Sequence, residues 1–169
     1  MSISLYDMSV PALTLGLTNL SAILDKAAAF AEAKKVDPKV LADSRIIADM
    51  FPLKRQVQIA CDTAKGAAAR LAGVEIPKHE DTESTFEELK ERIAKTIAFV
   101  HSVKAEAVNG AEAREIVLQF PKSTLKFTGF EYLSRFVLPN FYFHIAAAYA
   151  ILRKNGVDIG KNDFLGKIQ

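Results

Sequence analysis

Residues 9–35, SVPALTLGLTNLSAILDKAAAFAEAKK, decide the fold class. Val10, Leu13, Leu17, Leu20, Leu24, Ala27 and Ala31 recur at alternating intervals of three and four, which lays all seven along one stripe of a helix and fits no period-two strand. Ser9 is placed to cap this helix, with Pro11 in its first turn, where a missing N–H has no acceptor to lose. Lys34 and Lys35 put positive charge at its C-terminal end, where the helix dipole favours it.

Working outward, Asp37-Pro38 reads as an N-cap followed by proline at the first helical position, opening a short helix to about Asp43. A second long helix begins around Phe51-Pro52, with Leu53, Val57, Ala60, Cys61, Ala64, Ala68 and Leu71 as its inner stripe and Gly73 as its stop. Ser84-Thr85-Phe86-Glu87 has the form of a capping box. The helix it opens turns Phe86, Leu89, Ile93, Ile97 and Val100 inward, and the spacing places Glu87, Glu88, Glu91, Arg92 and Lys95 as ion pairs on the wet side. Asn109-Gly110 marks a turn.

The period then changes. Ile116, Leu118 and Phe120 alternate, Pro121 to Thr124 is turn-like, and Leu125 and Phe127 alternate again, which predicts a β-hairpin packed on helices. Thr128-Gly129-Phe130-Glu131 is a second capping box, opening a last long helix through Leu133, Val137, Phe141, Ile145, Ala148 and Leu152 to a stop at Gly156. Pro139 inside it predicts a kink, and Asp158 to Gln169 reads as a polar tail folded back over one end. The expected fold is all-α: one domain, residues 1–169, built as a four-helix bundle with a short extra helix and a small hairpin before the last helix.

Half of the 169 residues are apolar, enough for a core without disulfides or metal. Cys61 is the only cysteine, so no intrachain disulfide can form, and its Ala-rich surroundings suit a small buried hydrophobe in a reducing compartment. Twenty-two Lys and Arg against 20 Asp and Glu leave a net charge of +2, too weak a field to recruit nucleic acid. The start Met1 to Asp7 lacks the basic and apolar regions of a signal peptide, and no stretch is long and apolar enough for a membrane helix. A cytoplasmic protein without membrane contact is expected.

Spacing offers no metal motif: His79, His101 and His144 form no helical pair, and His-Glu-x-x-His, Cys-x-x-Cys, EF-hand and phosphate-loop patterns are missing. His79 falls in a loop and His101 at a helix end. Asn140 and His144 stand one turn apart beside Pro139, on or next to the inner stripe. They read either as a backbone-satisfying amide with a hydrogen-bonded core histidine, or as the contacts of a site between helices. Gln56, on the flank of the second long stripe, needs internal partners if buried. Arg55 and Asp62 read as a solvated ion pair, and Cys61 has no neighbouring base in sequence. Phe136, Phe141, Tyr142, Phe143 and Tyr149 read as core and groove lining.

Asp49-Met50-Phe51-Pro52-Leu53 with Gln56-Val57-Gln58-Ile59-Ala60 is one of several family-like runs. The others are Ala68-Ala69-Arg70-Leu71-Ala72-Gly73, Asn140-Phe141-Tyr142-Phe143-His144 through Tyr149, Leu152-Arg153, Asn155-Gly156-Val157 and Lys161 to Gly166. Over nearly the whole chain the sequence resembles the DinB/YfiT superfamily of helical-bundle metalloenzymes and, within it, a family of unknown function. The resemblance implies an up-down-down-up bundle and a metal held by three histidines, one on the second long helix and two spaced i, i+4 on the fourth. Those positions fall on Gln56, Asn140 and His144, where only His144 keeps an imidazole. Amide oxygens are poor partners for nickel or zinc, so the triad is degenerate. The resulting expectation is a homodimer that takes a small ligand or a partner in a pocket between the second and fourth long helices, with Gln56, Asn140, His144 and Tyr149 as the binding residues. The alternative it leaves open is a weak transferase or hydrolase dependent on a divalent metal (nickel or zinc), with His144 as ligand and Asn140 and Gln56 completing the shell. Whether the chain is an enzyme stays undecided at this point.

Overall fold

The computed structural model describes residues 3–166, so the outermost residues of the expected leaderless start and polar tail lie outside the described residues. In chain order the elements are α1 (Leu5–Lys34), α2 (Pro38–Ala42), α3 (Leu53–Ala72), α4 (Phe86–Ser102) and α5 (Ala105–Val108). The hairpin strands β1 (Glu115–Phe120) and β2 (Ser123–Thr128) follow, then α6 (Gly129–Glu131), a π-helical stretch Tyr132–Val137, α7 (Leu138–Lys154) and α8 (Lys161–Leu165).

All seven apolar residues of the opening stripe are buried in α1, as is the whole expected stripe of α3. The start of α1 corrects the sequence reading. Ser4, not Ser9, is the N-cap, because Asp7 reciprocates its hydrogen bond. Ser9 lies inside the helix, 1% exposed, with its hydroxyl on the Leu5 carbonyl, and Pro11 lies inside the helix rather than in its first turn. Similarly, the α4 capping box is Thr85 with Glu88, one residue later than Ser84 with Glu87, and the Glu88 carboxylate also takes the Ser84 N–H.

Residue pairs fix the helix directions. Tyr6 meets Asn109 just beyond α4, and Asp25 meets Lys90 near the start of α4, so α1 and α4 run antiparallel. Gln56 with His144, Thr63 with Asn140, and Arg70 with Tyr132 run α3 antiparallel to the last helix. Gly16 packs on Phe141 and Gly156 on Phe30, which makes α1 and α7 parallel. The order is therefore up-down-down-up. At Gly16 an added Cβ would lie 2.6 Å from the Phe141 ring, so only glycine lets α1 and α7 approach this closely.

A down-down pair needs a crossover, and residues 73–85 supply it, returning along α3 to the start of α4 after the left-handed Gly73 (φ 72°). Arg92 holds this crossover down and overturns its sequence assignment to the wet face. It is 2% exposed and pairs with Asp62 (2.7 Å), Asp81 (3.0 Å) and Glu83 (3.0 Å), while also donating to the Glu80 carbonyl. The expected Arg55–Asp62 pair does not form either: Arg55 binds Asp81 and Gln58, and Asp62 binds Arg92 and Lys65.

The hairpin pairs antiparallel from Glu115↔Thr128 to Phe120↔Ser123, so its turn is only Pro121-Lys122. Ile116 and Leu118 face the bundle, whereas Phe120 departs from the alternation and stays 44% exposed. Where Pro139 predicts a disrupted turn, the backbone widens into the π-helical stretch Tyr132–Val137, and the Leu138 N–H reaches back five residues to Leu133. The C-terminal segment folds back through α8 onto α1, with Asn19 donating to the Phe164 carbonyl and Lys26 pairing with Asp163 at 2.7 Å.

Candidate functional site

Three of the polar side chains nominated from sequence, Gln56, Asn140 and His144, lie on the facing sides of α3 and the last helix. Gln56 falls one turn into α3 and is 1% exposed, so its amide must find partners within the protein. It finds two: Nε2 donates to the Phe51 carbonyl at 3.0 Å, and Oε1 lies 2.7 Å from Nδ1 of His144.

This chain of bonds determines the state of the imidazole. A backbone carbonyl only accepts, so the Gln56 NH2 must face Phe51 and its oxygen must face His144. An oxygen facing Nδ1 requires a proton there. His144 is thus held as the Nδ1–H tautomer, with the lone pair on Nε2. Burial pushes the His144 pKa below the ordinary histidine value of 6.5, and the Arg55 charge acts in the same direction. At neutral pH the ring is therefore neutral, and Nε2 is a hydrogen-bond acceptor or base.

Nε2 makes no hydrogen bond to the described residues and is not among the buried atoms left unpaired. The exposed Phe143 ring stands edge-on to the imidazole at 5.3 Å between centroids. Phe51, whose carbonyl orients Gln56, leaves its own ring exposed, as does Tyr142 beside Phe141. Tyr142 and Phe143 are therefore not core residues, which corrects that half of their sequence reading.

Asn140 does not join this pair. Its Nδ2 donates to the Thr63 hydroxyl at 2.9 Å, two turns along α3 from Gln56, rather than to a backbone group freed by Pro139. It lines a separate cleft of about 200 Å³ under the hairpin, together with Arg70, Phe120 and Tyr132. Tyr149 also points elsewhere: its hydroxyl lies 3.5 Å from the Ile159 carbonyl and its ring packs on Phe164, which ties down the C-terminal segment.

The donors can be weighed against a three-imidazole metal centre. One imidazole is present, the Gln56 oxygen is committed to His144, and the Asn140 amide is committed to Thr63. Among the described residues no group of three or more His, Cys, Asp or Glu side chains is arranged so that it could hold a metal ion. These residues do not fit such a centre, because two of its three positions offer amides already engaged in other bonds. Cys61 is fully buried, and that burial pushes its thiol up to about 12, which removes it as a nucleophile.

Residues 5–165 match the family described as a domain of unknown function, DUF1993. The crystal structure of a DinB family member from Shewanella denitrificans at 1.83 Å superposes with a TM-score of 0.87. It is 48% identical in sequence, over 97% of this chain and 93% of that one. No curated protein is similar to the chain. No helix among the described residues is long and apolar enough to cross a membrane.

Proposed function

The chain belongs to the DUF1993 family and has the fold of a DinB family member, and from that premise we propose that it is a metal-independent descendant which binds a small ligand at His144. The neutral imidazole, locked by Gln56, receives a hydrogen-bond donor of the ligand on Nε2, while the exposed ring of Phe143, edge-on to it, offers apolar contact. In this reading Gln56 is a positioning residue in place of a metal ligand, and Asn140 and Tyr149 serve the neighbouring structure. The observation that carries the proposal is the 2.7 Å contact between Gln56 Oε1 and His144 Nδ1, which fixes the tautomer from inside the protein.

The same reading includes a cytoplasmic homodimer, with the exposed aromatic residues of α7 as its natural contact; a monomer by sedimentation would remove that part. The metal-dependent transferase or hydrolase needs oxygen donors beside His144, but the Gln56 oxygen is given to His144 Nδ1 and the Asn140 side chain is turned to Thr63 through its Nδ2. Elemental analysis of protein purified without an affinity tag separates the two functions. Stoichiometric nickel or zinc, lost on His144→Ala with the fold intact, would overturn the proposal. Metal-free protein that releases a small molecule on denaturation, and loses it in His144→Ala, is the expected result.

A further inference from the structure

The cleft beneath the hairpin contains a guanidinium group whose donors are mostly unspent. Arg70 Nη1 donates to the Tyr132 hydroxyl at 3.1 Å, and its Cζ stands 5.9 Å from the centre of the Tyr132 ring. None of the ion pairs among the described residues includes Arg70. Its Nε and Nη2 make no hydrogen bond to the described residues, yet neither is among the buried atoms left unpaired, so both keep surface open to solvent. Gly66 shows where the group lies. A Cβ there would come within 2.5 Å of Nη1, so the Arg70 side chain folds back along α3 by one turn and covers that glycine. The charge therefore stands at the level of residue 66, about 4.5 Å along the helix axis from Thr63, which holds Asn140.

Arg70, Tyr132 and Asn140 line this cleft of about 200 Å³, several times the roughly 30 Å³ of one water, and Phe120 and Phe136 are its apolar wall. The Phe136 ring stacks on Tyr132 at 6.0 Å between centroids, and Phe120 is the strand residue that stays out of the core. The Tyr132 oxygen accepts from Arg70, and its own proton has no acceptor among the described residues. Burial raises this phenol above its ordinary value of 10, against the opposing charge of Arg70, so the proton is retained at neutral pH. Guanidinium N–H and phenol O–H thus meet as donors, and a planar carboxylate matches the arginine fork. A single negative charge suits the cleft better than two. Asp62 also lines it, and although its Oδ1 is held by Arg92 and Lys65, its charge opposes a dianion such as phosphate.

We propose that this cleft, separate from the His144 site, binds a small monocarboxylic acid with an apolar, ring-sized body, the carboxylate resting on Arg70 and Tyr132 and the body on Phe120 and Phe136.

Benzoate is the probe, with benzamide as its neutral counterpart and acetate as the carboxylate without a body, followed through the arginine Nε–H and backbone amide signals of the full chain. Benzoate is expected to move the Arg70 Nε–H and the amides of residues 115–128 saturably, while the His144 ring signals stay in place. Benzamide and acetate are each expected to bind at least about tenfold more weakly, since each lacks one half of the recognition. Arg70→Gln should weaken the response of the hairpin amides to benzoate at least about tenfold. Phe120→Ser, at an exposed position where the fold has little to lose, should weaken it about threefold. The proposal is overturned if benzoate leaves Arg70 unmoved, if benzamide or acetate matches benzoate, or if the folded Phe120→Ser protein binds benzoate as tightly as the unaltered chain. Shifts confined to His144 would assign benzoate to the α3–α7 site and count against this one.

Discussion

Replacing Gln56 and His144 by leucine, singly and together, tests whether the two side chains are answered mainly by one another. In Gln56→Leu the buried Nδ1–H of His144 loses its acceptor at 2.7 Å, and the Phe51 carbonyl loses a donor at 3.0 Å. An unsatisfied buried donor costs about 1–3 kcal/mol, and the part-buried carbonyl, which water can reach, adds about 0.5–1 kcal/mol. The expected loss is therefore about 1.5–4 kcal/mol. His144→Leu strands the Gln56 oxygen, at 1% exposure of its residue, for about 1–3 kcal/mol. In the double variant both orphans vanish and only the carbonyl is left, so its loss should fall below the sum of the single losses by the two orphan penalties together, about 2–6 kcal/mol. Urea unfolding with unchanged m-values gives the three numbers. Additivity to within about 0.5 kcal/mol would refute the argument, since it would mean that the contact does not couple the residues and that the tautomer is not held by Gln56.

Arg92→Met should destabilise the protein by about 3–5 kcal/mol, because it leaves the carboxylates of Asp62, Asp81 and Glu83 facing each other, and should open residues 73–85 to proteases; a loss under about 1 kcal/mol would contradict the role assigned to it. Cys61, buried with its thiol near 12, should resist alkylation at pH 8 in the native protein and react once per chain in urea; native labelling at the rate of a free thiol would disprove its burial. Stability should be level above pH 6.5 and fall as pH drops below it. The unfolded chain there binds protons at His79 and His144 that the folded chain, with both values lowered, refuses, giving a slope of at most about 1.4 kcal/mol per pH unit for each ring. His144→Gln should reduce that slope, and an unchanged slope would count against the lowered value. A second decline belongs near and below pH 4.5, where the capping carboxylates Glu88 and Glu131, held low by their backbone hydrogen bonds, take up protons.

The parts of the fold that the sequence revealed are those set by local repetition. A stripe such as Val10 to Ala31 has one economical burial, and the left-handed stops at Gly73 and Gly156 need no tertiary information. The errors arose wherever a distant partner chose between two local solutions. Ser4 and Ser9 are both capable caps, and only the reciprocating Asp7 and the burial of Leu5 select the first. Arg92 sits four residues after Glu88, the spacing of a surface ion pair, but Glu88 is already engaged by Ser84 and Thr85. The three carboxylates that claim Arg92 come from α3 and from a crossover whose path the helix periods do not encode. The α3–α7 interface shows the same division. Sequence can nominate residue types for a site, yet Asn140 lies one turn along the helix from His144, and at that level α3 presents Thr63. The amide geometry that fixes the ring depends on the Phe51 carbonyl, a backbone group with no signature in the amino-acid code. Candidate chemistry at this interface therefore follows from which polar atoms are already answered, and the ring nitrogen still without a partner, His144 Nε2, is where a ligand has something to contribute.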